Sequence, residues 1–266
     1  MELLNLRLGA LEYLTAPGIC VPHGFTTRLG GVSQAHLASL NLGMHRGDAE
    51  ENVQQNYRIL AEAIGFSMEK LVLTRQTHSD IVRQVGASDA AGIDHRMYPE
   101  CDALITNEPG VALAVFTADC TPILFHDPVT GAVGAAHAGW RGTAAGIAAK
   151  TVASMVRAFG CRPSDIRAAI GPHIGQCCFQ TDWDVPQAML DALGEEARSA
   201  IRQSGEKYYV NLTMINTLWL RHSGVTEIDA SGECTYCLPQ RYWSHRYTRG
   251  VRGSQGAVIV RGEETA

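Results

Sequence analysis

A chain of 266 residues, 45% hydrophobic and 18% charged, is long enough to bury a large core and a concave site, and its composition excludes a disordered or fibrous protein. Its formal net charge of -5 and dispersed arginines exclude a phosphate-backbone footprint, so nucleic acid is not an expected partner. No run reaches the roughly 18 apolar residues that span a bilayer, and Glu2, Arg7 and Glu12 interrupt any apolar leader, so a cytoplasmic protein without membrane contact is expected.

In chain order, Gly24 to Thr27 reads as a strand, and Arg28-Leu29-Gly30-Gly31-Val32-Ser33 as a turn with an arginine at its root. Asp48 and Glu51 have capping-box spacing, and Val53, Tyr57, Leu60 and Ile64 recur at helical spacing until Gly65. Leu71 to Leu73 and Ile81 to Val85 read as strands around the polar segment Arg75-Gln76-Thr77-His78-Ser79. Four further strands are expected at Ala103 to Thr106, Val111 to Thr117, Pro122 to His126 and Ala132 to His137. Their near-continuous apolar character suits a sheet covered on both faces. The Ala-rich run Gly142 to Phe159 predicts one helix opening just after Arg141 and ending at Gly160. A strand at Ile166 to Ile170, helices at Val185 to Leu193 and Leu212 to His222 (capped by Asn211), and strands at Ile228 to Ala230 and Ala257 to Val260 complete the reading. No repeat or linker composition breaks the chain, which predicts a single α/β domain over residues 1–266.

Eight cysteines are too few for a disulfide scaffold at this length, and reduced thiols, mostly small core residues, are expected. A functional cysteine therefore needs company. Three segments place a potential ligand among glycines or at a strand end: Gln76-Thr77-His78, Ala118-Asp119-Cys120 and Ala136-His137-Ala138-Gly139-Trp140-Arg141-Gly142. Two imidazoles and a thiolate bind Zn²⁺ and leave a fourth position open, the pattern of catalytic zinc. Cys234-Thr235-Tyr236-Cys237 has the spacing of half a structural zinc site or a redox pair, but with no second Cys-x-x-Cys the simpler reading is packing. Cys177 and Cys178 receive no role.

Taken together, Thr26 to Ser33, Ser39-Leu40-Asn41-Leu42-Gly43, Gln76-Thr77-His78, Thr117 to Pro122 and Ala136 to Gly142 resemble the successive motifs of the YfiH-like proteins. That family has been labelled laccase-domain or polyphenol oxidase, and also multifunctional purine nucleoside phosphorylase. The resemblance runs from about Gly24 to Val260. Ile170-Gly171-Pro172, Cys178-Phe179, Cys234-Thr235 and Ser244-His245-Arg246 also match, although His173 stands where the family often has Cys, and Phe179-Gln180 replaces Tyr-Glu.

The resemblance implies metal ligation by His78, Cys120 and His137, with Zn²⁺ and alternatively Cu²⁺. It implies an α+β fold of mixed β-sheets sandwiched by helices, shared with certain cysteine-dependent deamidase toxins. The implied reaction is phosphorolysis of adenosine, inosine and S-methyl-5'-thioadenosine to free base and a ribose 1-phosphate product, with adenosine deaminase side activity. The expected partners are thus a small-molecule purine nucleoside and phosphate, with the chain a monomer or weak homo-oligomer. Phosphate needs a cationic clamp, for which Arg28 and Arg141 are the candidates, with helix N–H groups after Arg141 adding to it. Asn41 and Gln76 are further substrate-binding candidates, and Asp119 beside Cys120 could orient a ligand or protonate the departing base.

Other chemistries compete. None of the ten histidines lies two residues from another, which argues against a multicopper laccase, although a single Cu²⁺ at the same site could oxidise phenols weakly. The His-x-Glu of zinc cytidine deaminases is absent. A metal-free amide hydrolase acting on peptidoglycan precursors, with Cys120 as nucleophile and His137 as base, uses the same residues. A zinc site of purely structural purpose is the third reading.

Overall fold

The computed structural model describes residues 1–263; residues 264–266 of the expected 1–266 domain lie outside it. Its elements in chain order are β1 (Leu4–Leu8), β2 (Leu11–Thr15), β3 (His23–Thr26), α1 (Glu50–Ile64), β4 (Leu71–Leu73), β5 (Val82–Gln84), β6 (Ala103–Thr106), β7 (Ala112–Thr117), β8 (Thr121–His126), β9 (Val133–Ala138), α2 (Trp140–Ala144), α3 (Ile147–Phe159), β10 (Arg167–Ile170), β11 (Gln180–Thr181), α4 (Asp184–Leu193), β12 (Ile201–Ser204), β13 (Lys207–Val210), α5 (Leu212–His222), β14 (Glu227–Ala230), α6 (His245–Thr248) and β15 (Gln255–Val260).

These strands build two six-stranded mixed sheets, ordered β1-β2-β3-β15-β7-β4 and β14-β10-β8-β9-β6-β5, and a small sheet β11-β13-β12. The large sheets pack face to face, β7 and β15 against β8 and β9. Side-chain alternation sets the layers. Leu104, Leu124, Val133, Ala135 and Ala169 join the core between the sheets, while Ala103, Ile105, Ile123, Phe125, Ala136 and Ala168 turn to the opposite face, beneath α3 and α5. On the first sheet's outer side, α1 sets Ile64 over Gly24 and Tyr57 edge-on to Phe116. The expected mixed sheets between helices are what the chain forms.

Two local expectations are corrected. Asp48 does not cap α1: its carboxylate accepts from Ser33 Oγ at 2.6 Å and Asn41 Nδ2 at 2.9 Å, binding the 33–48 loop together, and Ala49 stands at the cap without a side-chain bond. The helix expected from Gly142 to Phe159 is two pieces, because Gly146 takes φ +74° and Trp219 fills the notch, its Nε1 donating to Thr143 O at 2.8 Å. The hairpin β1–β2 and the small third sheet were not expected from the sequence, although Leu4-Asn5-Leu6-Arg7-Leu8 alternates as a strand does; in the fold β1 is exposed along its whole length.

Candidate metal centre and the adjoining cleft

Chain crossovers between the two large sheets put the centre at one end of the sandwich. The chain leaves β4 of the first sheet for β5 of the second, and β7 of the first for β8 of the second. Because β4 and β7 are parallel, both crossover turns emerge at the same end. Thr121 at the start of β8 pairs with Ala138 at the end of β9, and Gln255 at the start of β15 pairs with Thr117. His78, Cys120, His137 and the segment before β15 therefore converge.

The ligand atoms of His78, Cys120 and His137 all lie within 4.8 Å of one another, and Cys120 Sγ is 3.9 Å from His78 Nε2. The two imidazoles meet edge to face at 5.1 Å. Both crossover turns contain a non-glycine residue with left-handed backbone, His78 at φ 60° and Asp119 at φ 94°. Such conformations persist where surrounding bonds over-determine them.

Asp102, completely buried at the start of β6, supplies those bonds for His78. Its carboxylate accepts from the N–H groups of Thr77, His78 and Ser79 at 3.1, 3.1 and 2.7 Å, from Ser79 Oγ at 2.6 Å, and from His137 Nδ1 at 2.7 Å. With Nδ1 donating to the carboxylate, His137 keeps Nε2 free to bind a metal, the usual arrangement of a metal-binding histidine. Gly139 leaves room for the ion: a Cβ there would sit 2.7 Å from His78 Cδ2 and 3.4 Å from Cys120 Sγ. This donor set fits a tetrahedral Zn²⁺ with one position left open.

The electrostatics agree. Burial opposes ionisation of Cys120, but the His137 and His78 rings outweigh it and bring the thiol down to about 6. Burial likewise disfavours the charged ring of His137, but the Cys120 sulfur and the Asp102 carboxylate reverse it. Asp102 is held at about 2 against its burial by His137 and Ser79. The two imidazoles thus favour the thiolate form that both metal binding and nucleophilic attack require.

The cleft beside the centre has an apolar wall of Leu42, Met44, Tyr57, Ile93 and Phe116, while Arg46, Arg252, Thr74, Gln76 and Ser254 supply polar groups. Arg252 is half-buried, and burial together with the nearby charge of Arg46 lowers it to about 10. Its Nη1 bonds Gly253 O and Ser254 Oγ, while its buried Nε has no hydrogen-bond partner among the described residues.

The residues singled out from sequence separate into those at the cleft and those supporting it. Gln76 lines the cleft, but its amide is paired with Phe116, accepting from N and donating to O at 2.7 Å each. Asn41 is fully buried behind the wall, bracing Gly43 and Ser254 through its Oδ1. Arg28 lies away from the cleft: its guanidinium donates to Ala38 O and Pro239 O and stacks on Trp243 at 3.7 Å. Arg141 is exposed and stacked on Trp140 within α2, which opens at Trp140 rather than after Arg141 and, at five residues, is too short to present the anion site expected there. The Asp119 carboxylate faces away from the ligands, accepting from Thr235 Oγ1 and Arg246 N at 2.7 Å each. Asp102, Arg46 and Arg252 escaped the sequence reading. Arg252 precedes Gly253 at the mouth of a strand, the same signal that singled out Arg28, so the pattern was present but not selective.

Residues 22–262 match the family described as multi-copper polyphenol oxidoreductase laccase. The purine nucleoside phosphorylase YlmD of Geobacillus stearothermophilus is 41% identical over 265 residues, covering 97% of this chain and 95% of that protein. The crystal structure of YlmD from the same organism superposes with a TM-score of 0.91 at 38% identity, over 97% of this chain and 98% of that one. A Bacillus licheniformis structure titled hypothetical protein YfiH superposes with a TM-score of 0.90 at 35% identity, over 96% and 97% of the two chains. Among the described residues, the groups able to hold a metal are His78/Cys120/His137 and a set of four cysteines, which supplies no further histidine ligands for a laccase-type copper cluster.

Proposed function

Since the chain belongs to the YfiH-like, laccase-domain family, we propose that it is a zinc-dependent purine nucleoside phosphorylase, acting on adenosine, inosine and S-methyl-5'-thioadenosine, with adenosine deaminase side activity. The observation that carries this reading is the pairing of Arg46 and Arg252 in a cleft that also holds the His78/Cys120/His137 centre and an apolar wall. Burial and the charge of Arg46 disfavour the Arg252 guanidinium, an anion would relieve it, and the unpartnered Arg252 Nε is a donor in want of one. The phosphate role first given to Arg28 and Arg141 therefore passes to Arg46 and Arg252. The apolar wall takes the purine, Gln76 and Asn41 hold that wall in shape, and Asp119 fixes the turn that presents Cys120.

In the reaction a phosphate oxygen bonds to ribose C1' as the bond from C1' to purine N9 breaks. The electron pair departs with the base, which takes up a proton. Arg46 and Arg252 orient the nucleophile and stabilise charge on it. Zn²⁺ held by His78, Cys120 and His137 would supply a Lewis acid with an open position. Deamination substitutes water for phosphate and C6 for C1', releasing ammonia.

Chromatography of purified protein incubated with adenosine, with and without phosphate, tests this directly. Adenine is expected only with phosphate, and Arg252→Ala should raise the KM for phosphate at least about tenfold while zinc content is unchanged. Adenine formation independent of phosphate, or an unchanged phosphate KM in Arg252→Ala, rejects the assignment.

One observation favours a second reading: Asp102, His137 and Cys120 also have the order of a cysteine-hydrolase triad with a depressed thiol. Iodoacetamide separates the two, because a metal-bound Cys120 is shielded and a free nucleophile is alkylated readily.

A further inference from the structure

Away from the cleft, the loop between β10 and β11 meets the loop that follows β14. The sulfurs of Cys177, Cys178, Cys234 and Cys237 come within 4.8 Å of one another there. Cys237 Sγ is 3.4 Å from Cys178 Sγ and 3.7 Å from Cys177 Sγ. We infer that these four cysteines form a second metal site, a mononuclear tetrathiolate centre that takes Zn²⁺ and staples the two loops together.

The distances choose between the possible uses of four thiols. Zn–S bonds of about 2.3 Å arranged tetrahedrally put neighbouring sulfurs about 3.8 Å apart, close to the spacing found. A disulfide needs about 2.05 Å, and the inorganic core of an iron–sulfur cluster holds its cysteines farther apart than a single ion does. An all-sulfur donor set selects a soft or borderline cation over magnesium or calcium.

Cys234-x-x-Cys237 forms the knuckle expected of half a zinc site, and the adjacent pair Cys177-Cys178 replaces the missing second knuckle. Gly175 N–H donates to Cys234 Sγ at 3.2 Å, the kind of backbone bond that steadies a bound thiolate. A Cβ on Gly175 would press on Cys177 Sγ and Cys234 Cβ, each at 3.2 Å, so glycine permits the approach. Cys177 and Cys237 reach the surface and give an ion its way in.

The staple bears on the first centre. Thr235, between the two knuckle cysteines, donates to Asp119 Oδ1, and Asp119 shapes the turn that carries Cys120. The site needs no assumption about the reaction, so its test stands apart from the phosphorylase assay.

The full chain, purified under reducing conditions, should carry two zinc equivalents by elemental mass spectrometry. Cys120→Ala should carry one, and Cys177→Ser/Cys237→Ser should carry one. Cobalt(II) added to apo Cys120→Ala should give the intense visible and thiolate charge-transfer bands of a tetrahedral sulfur-only site, and the paired serine variant should lose them. If the paired variant does not fold, the cobalt spectrum of Cys120→Ala decides alone. Absence of metal uptake by folded Cys120→Ala, or a Cys178–Cys237 disulfide in protein alkylated at lysis, overturns the proposal.

Discussion

Asp102 illustrates what a sequence conceals at the scale of one residue. A carboxylate ahead of an apolar strand has no distinguishing spacing, yet it gathers five donors from two separate segments and fixes both histidines of the centre. The candidate ligands His78, Cys120 and His137 were legible because each sits in a glycine-bordered or polar segment; their support was not, because it is defined by contacts across about 25 to 35 residues of sequence. Asp102→Asn keeps the shape but turns an acceptor into a donor toward His137, and should weaken metal affinity about 10- to 100-fold, read by competition with a chromophoric chelator. Gly139→Ala should do so sterically. With a Cβ 2.7 Å from the His78 ring, the imidazole must move, so zinc content should fall while the far-ultraviolet circular dichroism stays that of the parent. Full zinc occupancy in Gly139→Ala would mean that the pocket yields more readily than its contacts indicate.

At the scale of the element, periodicity succeeded where burial is one-sided and failed where a single residue interrupts it. The Leu212 to His222 helix, with Asn211 accepting from Met214 N at 3.0 Å, matches its sequence reading to the residue. The Ala-rich helix does not, because helix propensity is high on both sides of Gly146 and only Trp219, remote in sequence, makes the break advantageous. Gly146→Ala must then place a side chain at φ +74° against that indole, 3.3 Å away. It should cost about 1–2 kcal/mol in urea denaturation, with the urea dependence unchanged. A stabilised Gly146→Ala would show that α2 and α3 can merge without loss. The Leu4-Asn5-Leu6-Arg7-Leu8 alternation of β1 was present in the sequence but passed over, whereas the short strands of the third sheet, such as Ile201–Ser204, carry no alternation, so both came as new information.

At the scale of the whole molecule, layered order was legible from the unbroken apolar strands, but strand order was not, since it depends on which distant segments pair. One consequence of the layering is acid sensitivity. His23, His126 and His173 are buried at 7%, 3% and 3% exposure where the layers and loops meet. His23 accepts from Ala16 N while donating to Val21 O, a neutral pattern. Burial lowers all three, and with Arg167 nearby it takes His126 to about 4. A depressed histidine binds its proton more readily when unfolded. Its contribution to stability is therefore complete above about pH 6.5 and is lost as pH falls toward 4, by about 3 kcal/mol for His126. Melting temperature should drop steeply over that window, and His126→Gln should flatten the slope. A profile unchanged by the substitution would place the acid-sensitive group elsewhere.

The position of β15 also has a temporal meaning. It lies between β3 and β7 in the middle of the first sheet, and Arg252 and Ser254 stand just ahead of it. Ribosomal synthesis runs from the amino end, so the early strands emerge with a gap at their centre and two unpaired edges. Until residues 255–260 have left the exit tunnel, neither the sheet nor the cleft can close. Pairing of residues 255–260 with β3 and β7 is therefore the step that joins the two halves of the sheet and sets Arg252 and Ser254 at the cleft.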